Sequence, residues 1–162
     1  MKLRSLFALL CLVVSGSGLG SAADYKGPRP PKPDVPYLLH AQTLVETESS
    51  EAREETKKSD TTYVIDGAES KAKTPLAEPI FILETQQLSA EGLELYRLTV
   101  RNGRREVSLS GKRRKGEPKP LHLLVTKLAD RLYRVEADEH LEPGQYSLSP
   151  NGSNRVFCFE VF

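Results

Sequence analysis

From Tyr37 onward the apolar residues recur at every second position, in short runs cut by Gly, Pro, Asn and Asp. A period of two suits a pleated strand with one wet and one buried face, whereas a helix needs apolar residues three and four apart. The runs fall at 38–45, 62–65, 80–83, 95–101, 104–109, 121–128, 132–137, 145–149 and 155–162, and they predict an all-β fold of about seven to nine short strands with almost no helix. Its domain spans 37–162.

The sharpest local signal is Arg101-Asn102-Gly103-Arg104. Asn-Gly supplies the two positive φ angles of a type I′ turn, so the flanking runs form a hairpin. Counting from the turn sets Arg101 against Arg104 and Val100 against Arg105. Tyr96, Leu98, Val107 and Leu109 then share a core face, while Arg97, Thr99, Glu106 and Ser108 share a wet one.

Further on, Leu141-Glu142-Pro143-Gly144-Gln145-Tyr146 precedes an alternating run, the loop 150–154 and a last run. The pattern LxPGxY, with Leu141, Pro143, Gly144 and Tyr146 as its structural residues, resembles the tyrosine corner of immunoglobulin-like Greek-key sandwiches. In those folds the tyrosine hydroxyl bonds back to upstream backbone. The resemblance implies a sandwich in which the corner carries the chain from one sheet to the other, with a final hairpin of 146–149 and 156–161. Pro143-Gly144 would form a type II turn. An antibody-type domain is excluded, since the chain has no tryptophan and no cysteine pair to bridge two sheets. The chain otherwise resembles uncharacterised secreted bacterial proteins, and the likeness carries no activity with it.

Residues 1–23 read as a secretory signal peptide: basic Lys2 and Arg4, an apolar run at 6–14, and Ser21-Ala22-Ala23 as a small-residue cleavage site. Cleavage before Asp24 leaves 139 of the 162 residues, the size of one ordinary domain. The leader takes two of the 23 basic residues, so the mature chain holds 21 against 22 acidic ones and its charge selects no partner. Cys11 leaves with the leader, and the remaining Cys158 has no intramolecular partner. A secreted domain without disulfides suits a bacterial envelope better than a eukaryotic exterior. No apolar stretch of the mature chain is long enough for a transmembrane helix. Segment 24–36 holds five prolines and reads as an extended polyproline spacer. Segment 46–60 has no large apolar side chain and reads as a mobile acidic loop.

Chemistry-bearing residues are sparse. His40, His122 and His140 lie far apart with no metal-ligand spacing; Asp138-Glu139-His140 reads as a solvated acidic loop, and no serine stands in a GxSxG elbow. Cys158, between Phe157 and Phe159, reads as a buried small hydrophobe. No metal, cofactor or catalytic residue is expected. The one charge feature runs from 97 to 119: Arg97, Arg101, Arg104, Arg105, Lys112, Arg113, Arg114, Lys115 and Lys119 against Glu106 and Glu117, a local net of +7. It is either a patch for an anionic envelope component or partner protein, or a solvated run offset by the acidic segment. Nucleic acid is disfavoured, because the run lacks interleaved aromatics and the protein is exported.

The expectation is therefore a periplasmic or extracellular, non-enzymatic β-sandwich that is soluble after cleavage and acts as a binding or accessory module of the cell envelope. The alternatives are a small outer-membrane β-barrel, disfavoured by short strands and absent tryptophan, and a hydrolase whose site assembles from loops.

Overall fold

The computed structural model describes residues 25–58, 60–110 and 118–162. These contain thirteen strands and no helix: β1 (Tyr37–His40), β2 (Thr43–Glu46), β3 (Glu48–Glu51), β4 (Arg53–Lys57), β5 (Asp60–Asp66), β6 (Lys73–Thr74), β7 (Ile80–Glu84), β8 (Leu93–Arg101), β9 (Arg104–Ser110), β10 (Leu123–Ala129), β11 (Leu132–Ala137), β12 (Gly144–Pro150) and β13 (Arg155–Val161). All pairings are antiparallel except the short β6 against β13. The all-β expectation holds. The leader 1–23, Asp24 and the basic residues Lys112, Arg113, Arg114 and Lys115 lie outside the described residues.

One layer is a five-stranded sheet ordered β10-β11-β7-β1-β2. The other is ordered β3-β13-β12-β8-β9-β5-β4. Its two ends, β3 and β4, are consecutive pieces of one chain run separated only by Ala52. The first piece pairs with β13 and the second with β5, so this sheet closes on itself through a single bent strand. At the bend the Ala52 amide donates to the Asn154 carbonyl at 2.8 Å, carrying the β13 register one residue further. Closure removes free edges, which a long curled sheet otherwise exposes.

Pleating sorts the side chains of the closed sheet into two cores. Leu148 and Tyr146 of β12 and Phe157, Phe159 and Val161 of β13 face the five-stranded sheet, where they pack against Leu38, Phe81, Leu83 and Val135. Phe159 meets Phe81 edge-on at 5.0 Å and stacks with Tyr146 at 5.5 Å. The intervening positions, with Tyr96, Leu98, Val107, Ile65, Ala52, Val156 and Cys158, fill the interior of the closed sheet. Strand β13 is thus buried on both faces, which is why it reads as a nearly unbroken apolar run.

The tyrosine corner forms as expected. Leu141 and Tyr146 are buried, and the Tyr146 hydroxyl donates to the Glu142 carbonyl at 2.7 Å, where the chain passes from β11 in one sheet to β12 in the other. Gly144 differs from the expectation: its φ of 158° belongs to the start of β12, not to a type II turn, whose second central residue needs φ near 80°. Arg97 packs beside Gly144, with its guanidinium 3.5 Å from where a Cβ would stand, in ordinary contact, and donates to the Pro143 carbonyl at 3.1 Å. The Asn102-Gly103 hairpin also forms, with φ of 51° and 72° and Arg101 opposite Arg104.

Three expectations are corrected. Residues 38–45 are a hairpin, β1 and β2, turning at Ala41 with φ 54°; no glycine marks that turn in the sequence. Residues 46–60 are not a mobile loop, because β3 and β4 occupy them as the strand that closes the sheet. Two of their outward charges are paired, Arg53 bidentately with Asp66 at 2.7 and 2.9 Å and Glu55 with Arg104 at 2.9 Å. The proline-rich segment is packed structure, not a free spacer: Pro30, Val35 and Pro36 are buried, Lys32 pairs with Glu46 at 2.8 Å, and the Asp34 amide donates to the Glu84 carbonyl. The Asp34 carboxylate accepts from the amides of Gln86, Gln87 and Leu88 at 2.8 to 3.1 Å.

Candidate functional site

The interior of the closed sheet differs at its two ends. At one end, Arg105 of β9 points inward and is almost fully buried. Its guanidinium donates to Glu48 of β3 at 2.7 Å and to the carbonyls of Asp66 and Gly67 at 2.9 and 3.0 Å. Glu48 also accepts from the Lys71 amide at 2.8 Å, and Gln145 of β12 accepts from the Ser70 amide at 2.9 Å. Burial alone would raise the Glu48 carboxyl, but Arg105 and these donors outweigh it and hold it below the usual carboxylate range. Cys158 lies within this half, and burial pushes its thiol up to about 12. It is a small core residue, as the sequence implied.

The other end is open among the described residues. A cavity of about 360 Å³ enters the closed sheet there. Its apolar lining comes from inward residues of four strands: Ile65 and Tyr63 of β5, Tyr96 of β8, Val107 and Leu109 of β9, and Val156 of β13. Ser147 and Ser149 of β12 add hydroxyls 3.4 Å apart. Glu54 of β4 and Glu94 of β8 supply its only charged side chains among the described lining residues. The Tyr96 hydroxyl donates to Glu94 at 2.8 Å and fixes that carboxylate beside the aromatic wall. The loop 150–154 forms the rim. It is tied down by the Asn151 amide to the Gly92 carbonyl, the Ser153 amide to the Pro150 carbonyl, and the Ala52 bond to Asn154. Gly152, at φ 74°, takes the left-handed turn this rim requires.

Of the nine basic residues of the run, Arg97, Arg101, Arg104, Arg105 and Lys119 are among the described residues. Arg105 is corrected from a surface cation to an interior one, because it follows the inward phase of β9 set by Val107. Arg104 pairs with Glu55 and Glu106, and Arg101 lies 3.7 Å from Glu106. Arg97 lies 5.9 Å over the Tyr146 ring and serves the corner. Lys119 is exposed. His40 bonds to Thr74 at 3.0 Å, His122 pairs with Asp138 at 2.9 Å, and His140 is exposed; these positions do not converge on the cavity. Tyr96, Val107 and Leu109 were legible as inward-facing from the hairpin register. Glu54 was missed because its segment lacks the apolar residues that mark a strand.

Comparisons with family models, curated proteins and solved structures find no match to this chain.

Proposed function

We propose that this chain is an exported, non-enzymatic β-sandwich module of the bacterial cell envelope, whose binding site is the open end of its closed sheet. The observation that carries the reading is the cavity of about 360 Å³ with an apolar wall, a few polar groups and a rim tied by backbone bonds. Concave, largely pre-formed and mostly apolar spaces of about 300 to 1,000 Å³ are what small-ligand sites look like. Its walls belong to paired strands, so the site needs no large rearrangement to admit a ligand. Export rests on the charged, apolar and small-residue pattern of 1–23. Against the outer-membrane alternative stand the paired charges Arg53–Asp66 and Arg104–Glu55 on the outside of the closed sheet, where a membrane barrel carries an apolar band.

The test is saturation-transfer NMR with 2-phenylethanol, a neutral probe small enough for the cavity, on the chain beginning at Asp24. Saturable one-to-one binding in the parent protein is expected. Leu109→Trp, which fills the mouth from a half-buried position, abolishes it while the unfolding transition is retained. No saturable binding in the parent, or equal binding in the variant, overturns the site. N-terminal sequencing of the exported protein tests the address, with Asp24 as the expected first residue.

A further inference from the structure

We infer that the ligand of this cavity is a small organic cation, an ammonium group carried on a compact apolar body. The inference rests on the reading of the cavity as the binding site and names the chemistry of its occupant. The charged side chains of the described lining are two carboxylates, Glu54 and Glu94, with no lysine, arginine or histidine among them. They stand on β4 and β8, two strands kept apart in the closed sheet by β5 and β9, so they approach the mouth from different walls. Glu94 is half-buried beside the Tyr96 ring and Glu54 stands exposed at the mouth, and their two negative charges draw in a cation and disfavour an anion.

The rest of the lining fits the same occupant. Tyr63 and Tyr96 line the space beside the carboxylates, and aromatic side chains attract organic cations through their ring faces. The Tyr96 hydroxyl spends its proton on Glu94, which orients that carboxylate. Below them the floor is apolar, with Ile65, Val107 and Val156 all buried. A ligand with its charge at the mouth and its hydrocarbon on that floor satisfies both halves. Among the described residues, Arg101 pairs with Glu106 and Arg97 lies over the Tyr146 ring, and neither lines this cavity.

The experiment is isothermal titration of the chain from Asp24 with three probes of one shape: 2-phenylethylamine, 2-phenylethanol and 3-phenylpropanoate. The amine is expected to bind about tenfold more tightly than the alcohol, the sum of a partly exposed ion pair and a cation–aromatic contact. The carboxylate is expected to bind more weakly than either. Glu54→Gln, at an exposed position, should weaken the amine by about threefold and leave the alcohol unchanged. Glu54→Gln with Glu94→Gln should reduce the amine's advantage over the alcohol to about twofold, the share of the cation–aromatic contact that Tyr63 and Tyr96 retain. Equal binding of amine and alcohol to the parent overturns the cation assignment while leaving the cavity as the site. Binding of none of the three removes both. An amine preference that stays near about tenfold in the double variant, or saturation by a lysine-rich peptide but not by the amine, also overturns it.

Discussion

The ring and the hydroxyl of Tyr146 make separable contributions. The ring stacks on Phe159 inside the core, and the hydroxyl holds the Glu142 carbonyl at the corner. Tyr146→Phe keeps the first and loses the second, so urea unfolding should show a loss of about 1 to 3 kcal/mol; Tyr146→Ala should lose about 3 to 5 kcal/mol. Arg105 and Glu48 are a pair whose halves are worth more missing than present. Arg105→Met strands a partly buried carboxylate and is expected to cost about 3 to 5 kcal/mol, whereas Arg105→Met with Glu48→Leu should cost much less than the two single changes added together. Titration gives each limb of the stability curve a sign. Burial holds the Cys158 thiol up near about 12, so its contribution is complete below the ordinary thiol value and falls away as pH rises from about 9 toward about 12. Cys158→Ala should flatten that alkaline decline; part of it remains, because burial also raises Tyr37 and Tyr146. On the acid side, burial would raise Asp34, but the Leu88, Gln86 and Gln87 amides prevail and lower it. Its contribution, like that of Glu48, is present above the ordinary carboxylate value of about 4 and is lost as pH falls through the depressed one. Asp34→Ala should therefore lose stability at neutral pH and show a shallower acid limb.

Among the elements, the strand bent at Ala52 decides the architecture, and the sequence concealed it, as it did the short β6. Strands β5, β7, β8, β9, β11, β12 and β13 were legible because each buries an apolar row, and the row shows as alternation. The run 48–57 puts Glu48, Ser50, Ala52 and Glu54 inward, and the interior they meet is polar at Arg105 and open at the mouth. A strand that needs no apolar row leaves no apolar signal. Its pairing partners identify it only once β5 and β13 are in place. Two consequences follow for measurement. Amides of β3 and β4 should show slowed hydrogen exchange, whereas a mobile loop would exchange freely. Ala52→Pro removes the donor to the Asn154 carbonyl and should cost about 1 to 3 kcal/mol or more. Because the same bond fixes the rim, binding of 2-phenylethanol should weaken in that variant as well.

At the scale of the whole molecule, a flat sheet packed on a closed one gives two cores with different purposes. The core between the sheets is made of Phe, Leu, Val, Ala and Tyr in close contact and holds the fold. The core inside the closed sheet is sealed by an ion pair at one end and left accessible at the other. The all-β class, the corner and the last hairpin could be read from periodicity and turn residues, because those are local. Closure, the docking of the proline-rich segment and the cavity depend on contacts between residues far apart in the chain, such as Asp34 with Gln86 and Ala52 with Asn154. The basic run shows the same limit: its charge was countable, but pleating placed Arg105 inside and Glu55 beside Arg104. The most direct measurement is an amide ¹H–¹⁵N shift titration of the chain from Asp24 with 2-phenylethanol. If the closed sheet binds through its open end, the shifting amides are Glu54, Tyr63, Glu94, Tyr96 and those of 151–154, on separate strands, saturating at one shared concentration. Shifts confined to the five-stranded sheet or to residues 97–101, or saturation at different concentrations for different strands, would contradict it.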